Sequence, residues 1–185
     1  PASKNCINIM EIRKVDNSVN ELLDGPTLDA SALAGKIQRL HIFFSLLIPD
    51  MSHEEKQLLD EALIKTYARK GITHKNESLT DPQHPEQYKK MPILEDVYNV
   101  LLESEDTKRL AHILNRLVHG SASSFNQQTN VDLTNKYTVL DISELTGSSD
   151  LLTVGMFVAL DYVWDKAKEN RTEEKAIFVD EVWQL

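Results

Sequence analysis

The chain has 185 residues, enough for one domain with a real core or one domain carrying a smaller subdomain. Hydrophobic residues make up 41%, charged residues 26%, and the formal net charge is −9. That acidic balance argues against gripping nucleic acid over the whole surface, because phosphate neutralisation needs surplus Lys and Arg, although it leaves room for a local basic patch. The single cysteine, Cys6, rules out an intramolecular disulfide and suits a reducing compartment. No apolar run approaches the roughly 20 residues of a membrane span, and PASKNCINIM lacks the basic-then-apolar pattern of a signal peptide.

Residues 7–12 alternate weakly, with Ile7, Ile9 and Ile12 apolar, and predict a short strand. A polar link covers 14–20. Over 30–48, Leu33, Ile37, Leu40, Phe44 and Leu47 recur at spacings of four, three, four and three, one stripe of a helix. Ile42, Phe43, Leu46 and Ile48 add a second apolar face, so this helix is expected between partners, and Pro49 stops it. Ser52-His53-Glu54-Glu55 is a capping box for a second helix whose inner face is Leu59, Ala62, Leu63, Thr66 and Tyr67, with Gly71 as its stop. Residues 73–92, with three prolines, read as a loop. Leu94, Val97, Tyr98, Leu101 and Leu102 mark a third helix, and Leu110, Ile113, Leu114, Leu117 and Val118 a fourth, ended by Gly120. Residues 30–119 therefore read as a four-helix unit.

The character changes after Gly120. SASSFNQQTN (121–130) is a polar surface loop. YTVLDI (137–142) is β-branched and aromatic and predicts a strand with an acid near its end. A turn at 146–150 leads to a helix over 152–168, with Met156, Ala159, Leu160, Val163 and Ala167 on one side. AIFV (176–179) is apolar without alternation, which predicts a strand buried on both faces, as in a parallel sheet covered by helices. Strand, helix, strand is a right-handed βαβ unit, so the fold class expected is α/β, predominantly helical.

Asp180 and Glu181 follow that apolar run directly. In P-loop nucleotide hydrolases a strand ending in two acids places the first to orient water on Mg2+ and the second to polarise the attacking water. Asp180 is then the metal and cofactor residue, and Glu181 the catalytic base. The same two acids also read as the start of a solvated loop. No G-x-x-x-x-G-K-[ST] occurs, and only Gly35 precedes a lysine, inside a helix, so a phosphate-cradling loop is missing. The acids make chemical sense only as part of a longer protein.

FNQQTNVDLTNKYTVLDISEL (125–145), VGMFVALDYVWDK (154–166) and KAIFVDEVWQL (175–185) resemble, in order and spacing, the traffic ATPases of conjugation and type IV secretion, of the kind carried by conjugative elements of Gram-positive bacteria. FFSLLIPDMSHEEKQLLDEALIKTYARKGI (43–72) is similar to that family's helical insertion. The resemblance implies a RecA-like P-loop ATPase core with an inserted all-α subdomain. Residues 1–13 would be a core strand, 14–120 the insertion, and 121–185 the βαβ part of the core ending at Walker B. ATP and Mg2+ would be the cofactors, and Asp180 and Glu181 match the Walker B pair. The phosphate loop would lie before Pro1, leaving this chain an internal section that hydrolyses nothing by itself. Implied partners are other secretion or conjugation components and further copies of the chain. No nucleic acid is expected on this section, and the location expected is cytoplasmic, peripheral at the inner membrane face through partners. Gln127 stands where the family often has Gly, and Val182 follows the acids where Ala is usual. Met91-Pro92-Ile93 replaces a Pro-Thr helix start and so loses a capping hydroxyl. Asn126, Thr129 and Asn130 receive no role beyond satisfying loop backbone.

The six histidines are too scattered to form a metal set: His112 and His119 lie two helical turns apart, and His41 and His53 fall on different elements. Two other readings stay open. One is a non-enzymatic interaction module, with the helical unit docking a secretion component and the acids incidental. The other is a DNA-translocating ATPase of related build, which the acidic charge disfavours.

Overall fold

The structure, a computed structural model, describes residues 5–13, 31–131, 135, 137–145, 147–168 and 173–180. The chain divides into two compact units, Pro1–Ile12 with Ala30–Val131, and Arg13–Asp29 with Asp132–Leu185. The described α-helices of the first unit are α1 (Ala32–Leu47), α2 (His53–Arg69), α3 (Leu94–Leu101) and α4 (Lys108–Val118), and the second unit carries α5 (Ser149–Lys168).

The four helices expected in the first unit are present, and their ends follow from local chemistry. Ser31 Oγ accepts from the Ala34 amide at 3.2 Å and Asn76 Oδ1 from that of Ala32 at 3.0 Å, so two donors at the start of α1 are satisfied. The capping box of α2 is complete: Glu55 N–H donates to Ser52 Oγ at 3.1 Å, and Ser52 N–H to Glu55 Oε2 at 2.9 Å. Its other end is a Schellman turn, with Ile72 N–H on the Tyr67 carbonyl at 3.0 Å and Gly71 N–H on that of Ala68 at 2.9 Å. Gly71 has φ of 69°, a conformation that side chains disfavour. Gly120 is required differently: a Cβ there would lie 2.8 Å from the backbone of Arg116.

α3 packs on α2 and α4, and α1 on α2. The expected apolar stripes supply the core, with Leu33, Leu40, Phe44, Leu59, Leu63, Leu94, Leu114 and Leu117 all buried. On the second face of α1, Phe43 is buried edge-on to Phe44, with ring centres 5.3 Å apart, while Ile42 is exposed. The proline-rich stretch carries more order than a loop requires. A 3-10 turn at Asn76–Leu79 buries Leu79, and an antiparallel bridge pairs Thr80 with Tyr88.

Three expectations are corrected. Residues 7–12 form no strand. Asn8 Oδ1 accepts from the Met10 amide at 3.1 Å, and Glu11 N–H donates to the Asn8 carbonyl at 3.1 Å, closing a turn. An Asn that bonds its own backbone offers the chain an alternative to a ladder, and Cys6, Asn8, Ile9, Met10 and Ile12 are buried without alternation. Second, residues 137–142 and 176–179 form no ladder. Tyr137 is 94% exposed, Val139 88% and Phe178 93%. A strand exists through hydrogen bonds to a neighbour, and among the described residues neither segment has one, so the βαβ unit and a RecA-like sheet are not seen. The predominantly helical part of the expectation holds. Third, the inward side of α5 is Leu151, Val154, Val158, Ala159 and Tyr162 together with Asp161 and Asp165; of the expected side only Ala159 is buried, whereas Met156, Leu160, Val163 and Ala167 are half-buried. A count of apolar positions alone turns the helix the wrong way, because two aspartates lie on its buried stripe. Among the described residues no helix is long and apolar enough to cross a membrane.

Tyr67 is fully buried and its hydroxyl donates to the Met10 carbonyl. Burial pushes its ionisation well above the ordinary tyrosine range. Its contribution is therefore fully present below the ordinary value of about 10 and falls as pH rises beyond it. Unfolding followed by circular dichroism is expected to show stability declining above that pH, and Tyr67→Phe is expected to remove this alkaline slope while costing about 1 kcal/mol at neutral pH.

Candidate functional site

Of the two sequence-predicted acids only Asp180 is among the described residues. Asp180 lies exposed at a turn directly after residues 176–179, and Glu181 lies outside the described residues. Among the described residues no three His, Cys, Asp or Glu side chains gather as a metal-ligand set. An exposed carboxylate oxygen is the donor type that suits Mg2+, which is held by one or two carboxylates, waters and phosphates rather than by an all-protein cage. In donor chemistry, then, Asp180 fits the metal role.

The polar loop 126–130 has structural work that is readable atom by atom. Asn130 Oδ1 accepts from the Cys6 amide at 2.7 Å, and Asn130 N–H donates to the Cys6 carbonyl at 3.1 Å. Thr129 Oγ1 accepts from the Asn8 amide at 3.0 Å and donates to Glu11 Oε2 at 2.6 Å. Gln128 Nε2 donates to the Met91 carbonyl at 2.8 Å, and Asn8 Nδ2 to that of Pro92 at 2.9 Å. Asn126 Oδ1 accepts from the Glu95 amide at 2.9 Å. That amide is the second of α3, so Asn126 supplies from a distance the cap that the missing Thr would have provided locally. Asp96 Oδ2 accepts from the Ile93 amide at 2.9 Å and completes that end. The side chains do satisfy backbone, as expected, but it is the backbone of residues 6–8 and 91–95 rather than that of their own loop. Cys6 sits within this clasp, its thiol 3.5 Å from the Gln127 carbonyl. Burial pushes its ionisation up, against a smaller lowering by that contact, which makes it an inert thiol.

The same segment is held from the helices. Lys36, fully buried on α1, donates from Nζ to the Ile9 carbonyl at 3.2 Å. The sequence stripe passed over Lys36 because a lysine is expected outside; only its position between Leu33 and Ile37 hints otherwise.

In the second unit Arg13 makes a buried ion cluster. Its Nη1 lies 2.8 Å from Asp165 Oδ2 and 3.7 Å from Asp161 Oδ2, with all three side chains under a tenth exposed. The guanidinium carbon stands 4.3 Å over the ring of Tyr162. The signal for this cluster was two aspartates four apart in LDYVWD, one helical turn, which brings both carboxylates to one face.

Surface pairs finish the helical unit. Arg109 bridges Asp50 at 2.6 Å and Glu55 at 2.7 Å, and Lys65 and Arg69 share Glu103. The Ser52 amide, then Arg109, holds the Glu55 carboxyl below its ordinary range. His41 pairs with Asp60 at 2.8 Å, and His119 stacks edge-on against Tyr98.

No protein-family model and no curated protein matches the sequence. A solved structure does. The chain is similar to VirB4 of Thermoanaerobacter pseudethanolicus, with a TM-score of 0.80 and 25% identity over 98% of this chain and 65% of that one. The fold is therefore VirB4-like over nearly the whole chain, which bears out the resemblance carried by residues 125–145, 154–166 and 175–185. The chain spans less than two thirds of the length of that solved chain.

Removing one partner of a buried ion pair strands the other charge, at a cost of about 3–5 kcal/mol. Asp165→Asn leaves Arg13 facing Asp161 at 3.7 Å, so it is expected to cost less than that, about 2–3 kcal/mol, in chemical unfolding of the second unit. Asn126→Ala is expected to cost only about 1 kcal/mol, as the loss of a helix cap does. A larger loss at Asn126 than at Asp165 would reverse this ranking.

Proposed function

We propose that this chain is part of the ATPase of a type IV secretion or conjugation system, with Asp180 and Glu181 as its metal- and water-handling pair. The observation that carries the reading is the VirB4-like fold across 98% of the chain, joined to an acid pair at the position the family's Walker B motif would occupy. A second support is the exposure of strand-type sequence. Val139 and Phe178 sit in β-branched and aromatic runs suited to a covered sheet, yet lie open to solvent, as would be so if neighbouring strands came from the remainder of a longer protein. In this reading residues 1–13 and 121–185 belong to the ATPase core and 14–120 to an inserted helical part. Asp180 would hold water on Mg2+, and Glu181 would orient the water that meets the γ-phosphate. Bound Mg2+-ATP would supply the triphosphate and the metal's charge. Further copies of the chain and other secretion components would be its partners, at the inner face of the membrane.

The test uses the longer protein with its upstream phosphate loop. Glu181→Gln is expected to lower ATP turnover by about 10²–10⁴ while nucleotide binding persists, since it removes a proton acceptor and little else. Asp180→Asn is expected to weaken Mg2+-dependent binding. Turnover unchanged in Glu181→Gln would refute the assignment, whereas ATP hydrolysis by the 185-residue chain alone that this substitution abolishes would refute the need for an upstream phosphate loop. A non-enzymatic interaction module is the second reading. It draws on the self-contained core of the helical unit and on Ile42, 51% exposed on α1, and it predicts that neither acid substitution changes anything but charge.

A further inference from the structure

Two lysines near the end of α5 are used differently. Lys168 closes the helix, and its Nζ turns back over the ring of Trp164, 5.2 Å from the ring centre. Lys175, exposed and eight positions beyond Ala167, donates from Nζ to the Ala167 carbonyl at 3.1 Å. Ala167 lies in the last turn of α5, where carbonyls lack partners within the helix and the dipole is negative. A lysine there meets an acceptor and complements the field. The helix itself is held within the same unit, because Arg13 lies 2.8 Å from Asp165 with both side chains buried. Asp180 follows Lys175 by five residues, at most about 18 Å of chain. The stretch between them, AIFV, has no Gly or Pro and is rich in residues that favour extended backbone.

We propose that Lys175 is a positioning residue for Asp180: its bond to Ala167 sets where the segment carrying that acid begins on α5. An exposed contact of a charged side chain adds little to stability, so the consequence of this one is geometric. Without it the segment starts from a wider range of points, and the Asp180 carboxylate spends less time where it meets a metal ion. The bond stands on the geometry alone. Its purpose rests on the reading of Asp180 as the Mg2+ residue.

The bond is tested by amide hydrogen exchange on the 185-residue chain, without nucleotide. Lys175→Met keeps the stem and removes the donor, and is expected to raise exchange several-fold in the last turn of α5. Lys175→Arg keeps charge and donors and is expected to leave exchange as it was. No rise in Lys175→Met overturns the bond. The purpose is tested on the longer protein, by the Mg2+ concentration that half-saturates nucleotide binding. Lys175→Met is expected to raise it several-fold, less than the roughly 10–100-fold that follows loss of a group bonded directly to a metal ligand. Lys175→Arg is expected to restore it, and Lys168→Met, which removes a charge from the same helix end, to change it little. In an Asp180→Asn background, Lys175→Met is expected to add nothing. An effect that persists there, or one that Lys168→Met reproduces, overturns the positioning role. Asp180→Asn with an unchanged Mg2+ demand overturns the purpose together with the reading of Asp180, and leaves the exchange result and the bond in place.

Discussion

Residues 5–12 carry backbone polar groups that neither helix nor ladder satisfies, and the first unit is arranged to satisfy them. Buried amides and carbonyls left without partners would each cost more than a hydrogen bond returns. Lys36, Tyr67, Thr129 and Asn130 approach from α1, α2 and the 126–130 loop to meet the carbonyls of Ile9 and Met10 and the amides of Asn8 and Cys6. Those four side chains account for a buried lysine, a buried tyrosine hydroxyl and a loop rich in Asn, Gln and Thr. None of the three features would be tolerated in an ordinary helical core. The unit is therefore a helix bundle organised around an irregular peptide, and the helix packing and the clasp stand or fall together.

The helices were legible because their signals are local. Ser52 and Glu55, Gly71 after two basic residues, and the 3–4 spacing of Leu33, Ile37 and Leu40 each act within a few positions. What was not legible was long-range and polar. Nothing near Asn126 says that it caps a helix beginning at Leu94, and nothing near Lys36 says that it points inward. The inward side of α5 was misread for a related reason: Asp161 and Asp165 are buried because Arg13 neutralises them, and Arg13 is distant in sequence. The two strands were read from composition alone. Composition shows that YTVLDI and AIFV suit a sheet but cannot supply the neighbours a sheet requires. The acid pair is an expectation from residue type and order, to which the structure adds the exposure of Asp180.

The likeness to VirB4 and the motif order in the sequence are separate lines of support. The first concerns backbone shape at 25% identity, and the second concerns three short stretches with their spacing. The departures sort themselves by structure. The absent capping hydroxyl near Ile93 is compensated by Asn126 and Asp96. Gln127 sits at the loop's exposed side with its carbonyl turned to the Cys6 thiol. Neither change disturbs the loop's bonds to residues 6–8. A fold can thus keep a clasp while exchanging the residues beside it.

The clasp also sets an order in time. The partners of Cys6 and Asn8 stand more than 120 positions downstream. On a ribosome adding 5–20 residues each second, the early segment waits on the order of ten seconds for them. Through that interval Ile9, Met10 and Ile12 have no finished groove to enter, and α3, once made, waits 31 further positions for the cap that Glu95 borrows from Asn126. Separations of this length slow folding, because chain entropy is surrendered before any contact repays it. The newborn chain is therefore most vulnerable to aggregation and proteolysis around residues 5–12, and the arrival of one polar pentapeptide closes that window.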